Sequence, residues 1–144
     1  MIVGIRHFGI VVRDITQSIS FYRKYFGFEI EIDADEQGFF VERVLSIDGA
    51  HLRTVKMRSP VSKVMVELIQ YLAGSVVENN NKINQIGPTH FAVTVENIDI
   101  LYDQMLAEGV EFLSEPINST DNYARVVFCR APEGTYIEMV ELLV

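Results

Sequence analysis

Two histidines and two glutamates occupy places in the chain that are otherwise apolar. His7 opens the run HFGIVV and His90 the run HFAVTV, while Glu67 lies within VMVELI and Glu138 within TYIEMV. A carboxylate taken into a sheet interior without a partner is neutralised or destabilises the fold, so each glutamate wants an explanation. Taken singly, the plain one is strand alternation, which turns Glu67 and Glu138 to solvent on a one-sided sheet and leaves His7 and His90 as satisfied core histidines. Taken together, two imidazoles and two carboxylates form a donor set suited to a divalent first-row metal with room for water. The lack of thiolate ligands keeps such a site open to harder ions.

The elements that must position these residues occur twice. RHFGIVVRDI and FYRKYFGFEI in the first half match THFAVTVENI and LYDQMLAEGVEF in the second, and VMVELIQYL matches TYIEMVELL. His7 and His90 are 83 residues apart, as are Asp14 and Asn97, whereas 71 residues separate Glu67 from Glu138. The first copy is therefore 12 residues longer, and the surplus falls between Ala34 and Ser62. A duplicated unit related by pseudo-twofold symmetry brings equivalent residues around its axis, and this is what makes convergence of the four side chains on one ion the favoured expectation.

Along the chain, residues 2–12 read as a strand, followed by a helix that Asp14 caps, with Gln17 three residues on as in a capping box. Ile15, Ile19, Tyr22 and Phe26 form its apolar stripe and Gly27 its stop. Strands are expected at Phe28–Asp33, His51–Met57 and Lys63–Tyr71, the last two separated by the turn Arg58-Ser59-Pro60. Ala34–Gly49 is a connecting segment whose middle, Phe39–Ile47, fits no single pattern. The second half restarts with a strand at His90–Glu96, then a helix capped by Asn97 with Ile98, Leu101, Tyr102 and Met105 as its stripe and Gly109 as its stop. Strands at Val110–Ser114, Tyr123–Arg130 and Thr135–Val144 complete it, with turns at 115–122 and 131–134. The fold expected is α+β: two βαβββ modules in tandem, residues 1–73 and 88–144, joined by an Asn-rich linker at 74–87 and forming a curled mixed sheet around a metal-binding cleft.

Composition bounds the partners. Twelve Lys plus Arg against twenty Asp plus Glu give a net charge of −8, and 49% hydrophobic residues can fill a core. Without a cationic block, nucleic acid is not an expected ligand. No apolar run is long enough for a membrane span, and Met1-Ile2-Val3-Gly4 leads straight into folded-looking sequence without a signal-peptide pattern, so a cytoplasmic protein is expected. Cys129, the only cysteine, rules out an intrachain disulfide and reads as a small buried hydrophobe within its apolar run.

HFGIVVRDITQSISFYRKYFGFEI, VELIQY, THFAVTV and APEGTYIEMVEL resemble the vicinal oxygen chelate superfamily, which includes glyoxalase I, methylmalonyl-CoA epimerase, extradiol dioxygenases, fosfomycin resistance enzymes and bleomycin-binding proteins. The resemblance implies a cup of two modules holding one divalent ion (Ni, Zn, Co, Mn or Fe) per chain, with His7, Glu67, His90 and Glu138 at the four ligand positions. Glu at the second position is similar to bacterial glyoxalase I and tilts the expectation towards a lyase or isomerase. Such an enzyme removes a proton alpha to a carbonyl or thioester through a metal-stabilised enolate. Glu67 or Glu138 would be the base, and Glu42 is a further candidate because the epimerase branch places a glutamate upstream of the second ligand. The glutathione-binding arginine of glyoxalase I falls here on Val11, which weakens a glutathione substrate. Arg53 and Arg125 could hold a carboxylate or phosphate of a small-molecule substrate, and Tyr123 could line its pocket. The competing expectations are a metal-free drug-binding protein of the bleomycin resistance type and an Fe(II) extradiol dioxygenase using His7, His90 and Glu138. On family analogy the chain forms a homodimer.

Overall fold

Asp14 starts the first helix. Its carboxylate accepts from the backbone N–H groups of Thr16 and Gln17 at 3.0 and 3.1 Å, and α1 runs Ile15–Phe26 until Gly27 ends it at φ 64°. In the computed structural model, which describes residues 1–143, this helix belongs to a unit spanning Met1–Asn79, and a second unit spans Asn80–Val144. Each is α+β and carries one four-stranded mixed sheet.

The first unit comprises β1 (His7–Val11), α1, β2 (Glu29–Gln37), α2 (Phe39–Leu45), β3 (His51–Arg58) and β4 (Met65–Ala73). The sheet order is β1-β4-β3-β2, with β1 parallel to β4 and the other pairs antiparallel. Alternation gives its two faces different work. Val55, Met57, Val66 and Leu68 are almost fully buried, and α1, with its buried stripe Ile15, Ile19 and Tyr22, packs on β4 to cover them. The other face carries Leu52, Thr54 and Lys56 from β3 opposite Tyr71, Ile69 and Glu67 from β4. Here Leu52 and Ala50 form a small core with Val41 of α2, to which Ile69 and Tyr71 add.

The second unit repeats the plan: β5 (His90–Thr94), α3 (Ile98–Ala107), β6 (Ile117–Asn118), β7 (Ala124–Arg130) and β8 (Tyr136–Leu142), in the order β5-β8-β7-β6. Ile98 and Met105 of α3 are fully buried, as are Val127, Ile137 and Met139 on the sheet. Cys129 is buried too, and burial pushes its thiol up to about 12, which keeps it protonated and inert.

Five expectations are corrected. Residues 2–6 are not strand, because β4 begins at Met65 opposite His7 and offers no ladder upstream of it. The connecting segment at 34–49 instead extends β2 to Gln37 and then forms α2; the surplus residues of the first copy make a longer strand and an added helix. Ser59–Val64 is a longer connection than the expected turn, since β4 starts only at Met65. Val110–Ser114 is not a strand: it touches β7 through a single bridge, Phe112 to Cys129, and the second unit's short strand is β6, within the expected turn. Finally, Asn97 sits in left-handed conformation at φ 55° and makes no side-chain cap. Glu141 of β8 does that work, accepting from the N–H groups of Asn97 and Ile98 at 2.7 and 3.3 Å. The last expected strand includes Val144, which lies outside the described residues.

Candidate functional site

In the first unit β1 and β4 place His7 and Glu67 on the same face, and the imidazole Nε2 stands 2.9 Å from Glu67 Oε2. Gly9 is directly in register with Glu67, and its lack of a side chain leaves the carboxylate uncrowded on that side. The other carboxylate oxygen is engaged as well. Lys56, opposite Glu67 on β3, donates from Nζ to Oε1 at 3.0 Å, and both side chains are only about 15% exposed (15% and 14%). Glu67 therefore bridges an imidazole and an ammonium, and a half-buried charge has the partner that burial demands.

His7 is not a satisfied core histidine. Its Nδ1 is buried and meets no hydrogen-bond partner among the described residues, an arrangement that costs about 1–3 kcal/mol. The contact of Nε2 with Glu67 holds the ring there despite that penalty.

In the second unit β5 and β8 repeat the placement. His90 Nε2 lies 3.6 Å from Glu138 Oε2, and the two side chains are 40% and 26% exposed. Ala92, the equivalent of Gly9, is in register with Glu138. Opposite Glu138 on β7 stands Phe128, in place of a lysine, with its ring edge-on to His90 at 5.3 Å between centroids. The other nitrogen of His90 is 2.9 Å from Thr89 Oγ1, a contact that fixes the ring orientation.

The four expected ligands thus form two His–Glu pairs, one within each unit. Among the described residues no group of three or more His, Cys, Asp or Glu side chains is placed to hold a metal. As donors, an imidazole nitrogen and a carboxylate oxygen in each unit fit a divalent first-row ion. Lys56 is the feature that opposes one, because it already neutralises Glu67.

Arg53 is on the opposite face of β3 from Lys56, where Asp33 takes its guanidinium in two hydrogen bonds of 3.0 and 2.8 Å. That pairing holds Asp33 below its ordinary 3.8 and raises Arg53. Arg125 faces away from Glu138 on β7 and is held by Asp99, at 2.8 Å from its terminal nitrogen, and by Asn118 at 2.8 Å. Tyr123 is about half exposed just before β7, its backbone paired with Leu143. Glu42 lies in the first turn of α2, partly buried beside Val41. His51, whose Nε2 is 2.9 Å from both carboxylate oxygens of Asp35, makes its contact between the same two strands as the ion pairs Arg53–Asp33 and Arg58–Glu31.

Lys56 escaped the sequence reading. Its signal was a lysine between the apolar Val55 and Met57, and only the register of β3 on β4 sets it against Glu67. A second missed pair is Gln70 and Glu141, equivalent residues that cap both helices from the last strand of each unit. Gln70 Oε1 accepts from Ile15 N–H at 3.0 Å, as Glu141 does at α3.

The sequence model of the Glyoxalase/Bleomycin resistance protein/Dioxygenase superfamily matches residues 4–139. An uncharacterized protein of Bacillus subtilis strain 168, YwbC, is 25% identical over 137 residues, which cover 95% of this chain and 96% of the relative. Among solved structures, a glyoxalase family protein from Bacillus cereus superimposes with a TM-score of 0.91 at 24% identity, covering 100% of this chain and 97% of that one. A variant of the genomically encoded fosfomycin resistance protein FosX from Listeria monocytogenes, solved with Mn(II) and a dihydroxypropylphosphonic acid, gives a TM-score of 0.63 at 13% identity, covering 96% and 90%. At these identities the structural likenesses bear on the fold alone. Among the described residues, no helix is long and apolar enough to cross a membrane.

Proposed function

The chain belongs to the Glyoxalase/Bleomycin resistance protein/Dioxygenase superfamily, and from that premise we propose that it is a divalent-metal-dependent lyase or isomerase that removes a proton alpha to a carbonyl or thioester of a small molecule. His7, Glu67, His90 and Glu138 would hold the ion. The observation that supports this most is the repeated His–Glu pair, set at equivalent register in both units. When bound, a divalent ion supplies Lewis-acid stabilisation of charge developing on a carbonyl oxygen.

The protein's own residues do the rest. A carboxylate, Glu67 or Glu138, accepts the alpha proton, and the other can return it. Gly9 and Ala92 keep the strand surface beside the two carboxylates clear of bulk. Lys56, adjacent to Glu67, holds that carboxylate in position. In solution the enzyme works as a homodimer in the cytoplasm.

The test is proton exchange in D2O, followed by NMR over a panel of 2-oxoaldehyde hemithioacetals and 2-substituted acyl thioesters with the metal-loaded protein. Exchange or turnover that Glu67→Gln lowers steeply is the expected result. Consumption of O2 with a catechol, tolerant of Glu67→Gln, would instead establish a dioxygenase. One observation favours a second reading: Glu67 has a complete set of partners in His7 and Lys56 without any ion, as a metal-free drug-binding module would require. A protein that binds no metal and takes up a cationic glycopeptide would establish that function in place of catalysis.

A further inference from the structure

Lys56 and Phe128 stand at the same place in the two units, each directly across from the glutamate of its own His–Glu pair. Nothing else in the two pairs differs so much in charge. Glu67 is neutralised by an ammonium at 3.0 Å, whereas Glu138 faces an aromatic ring and a histidine 3.6 Å away. The two oxygens of Glu67 are both engaged, one by Lys56 and one by His7. Any cation that takes Glu67 as a ligand must therefore displace the ammonium or share the carboxylate with it, and at 14% exposure water screens that competition poorly.

We propose that Lys56 is a resident cation that competes with the divalent ion for Glu67 and sets the metal affinity of the site. The inference rests on the metal-binding function proposed above. With Lys56 in place, Glu67 is a satisfied, oriented carboxylate before any ion arrives. Binding must then exchange one cation for another, which couples ion and ammonium negatively and holds the affinity down.

The experiment is calorimetric titration of the metal-stripped, full-length protein with Mn(II) and with Zn(II), in wild type, Lys56→Met and Lys56→Arg. Lys56→Met, which keeps the stem and removes the charge, is expected to bind each ion about tenfold more tightly, and Lys56→Arg to gain nothing. The stripped Lys56→Met protein is expected to melt below wild type, because Glu67 has lost its cation, and to recover that deficit on addition of Mn(II). Should Lys56→Met fold poorly, Lys56→Gln serves the same comparison. Equal or weaker binding by the methionine and glutamine variants, with wild type binding normally, overturns the role of Lys56 and leaves the proposed function standing. No binding by any of the proteins overturns both. Binding confined to the uncharged variants supports the role of Lys56 in its strongest form.

Discussion

The two units share strand order, register and the His–Glu pair, yet the surroundings of that pair differ. In the first, Glu67 is flanked by Lys56, screened from water, and lies on a face partly roofed by α2. In the second, Glu138 is more exposed, has no lysine across from it, and its sheet carries no added helix. The His–Glu pair occupies equivalent positions in both units, while the strand position across from the glutamate is lysine in one and phenylalanine in the other. Equivalent positions are therefore not electrostatically equal: Glu67 already holds a cation, whereas Glu138 does not.

Substitutions in the two units separate the roles of the two glutamates. The largest effect is expected from Glu138→Gln, which should weaken divalent-metal binding by more than about 100-fold, beyond what loss of an outer-shell partner does, whereas Glu67→Gln should lose only about tenfold because its charge is already compensated. Paired titrations of the two variants check the asymmetry; equal losses would abolish it. Carrying the lysine into the second unit with Phe128→Lys should cost about tenfold in affinity by creating there the competition that Lys56 exerts in the first.

A smaller contrast concerns the helices. Glu141→Ala should destabilise the protein by about 1–2 kcal/mol, because α3 has no side-chain cap from Asn97 and its N-terminus relies on that carboxylate. Gln70→Ala should lose about 0.5 kcal/mol, since Asp14 continues to cap α1. Urea denaturation of the two variants distinguishes them.

The smallest effect is in acid. The guanidinium of Arg53 beside Asp33 and that of Arg58 beside Glu31 hold both carboxylates below their ordinary values of 3.8 and 4.5. A lowered carboxylate contributes stability that is complete above its unfolded value and is lost as pH falls through the folded one. The first unit should therefore lose stability on acidification below about pH 4, and Asp33→Asn should flatten part of that decline. Both pairs are well exposed, so the change in melting temperature should be slight.

Much of this arrangement could be read before any coordinates. The tandem repeat is carried by motifs with local physical meaning, Asp14 and Gly27 at the ends of α1 and the stripe Ile98, Leu101, Tyr102 and Met105 on α3, and the superfamily followed from them. What stayed hidden depends on pairing between distant strands. Lys56 meets Glu67 only through a register set by the connection at 59–64, whose length the sequence misjudged. Glu141 caps α3 from 44 residues away, so the local candidate Asn97 looked sufficient. Phe39–Leu45 had too short and too mixed a pattern to separate helix from strand, and it became α2 because Val41 packs on Ala50 and Leu52.

Elemental analysis of the purified protein, beside a His7→Ala, Glu138→Gln double variant, decides whether His7, Glu67, His90 and Glu138 hold one divalent ion as proposed. About one divalent metal per chain in the wild type, absent from the folded variant, is the result predicted. A wild-type protein that carries and takes up no metal, even after reconstitution with Mn(II), Ni(II), Zn(II) and Fe(II), would contradict it.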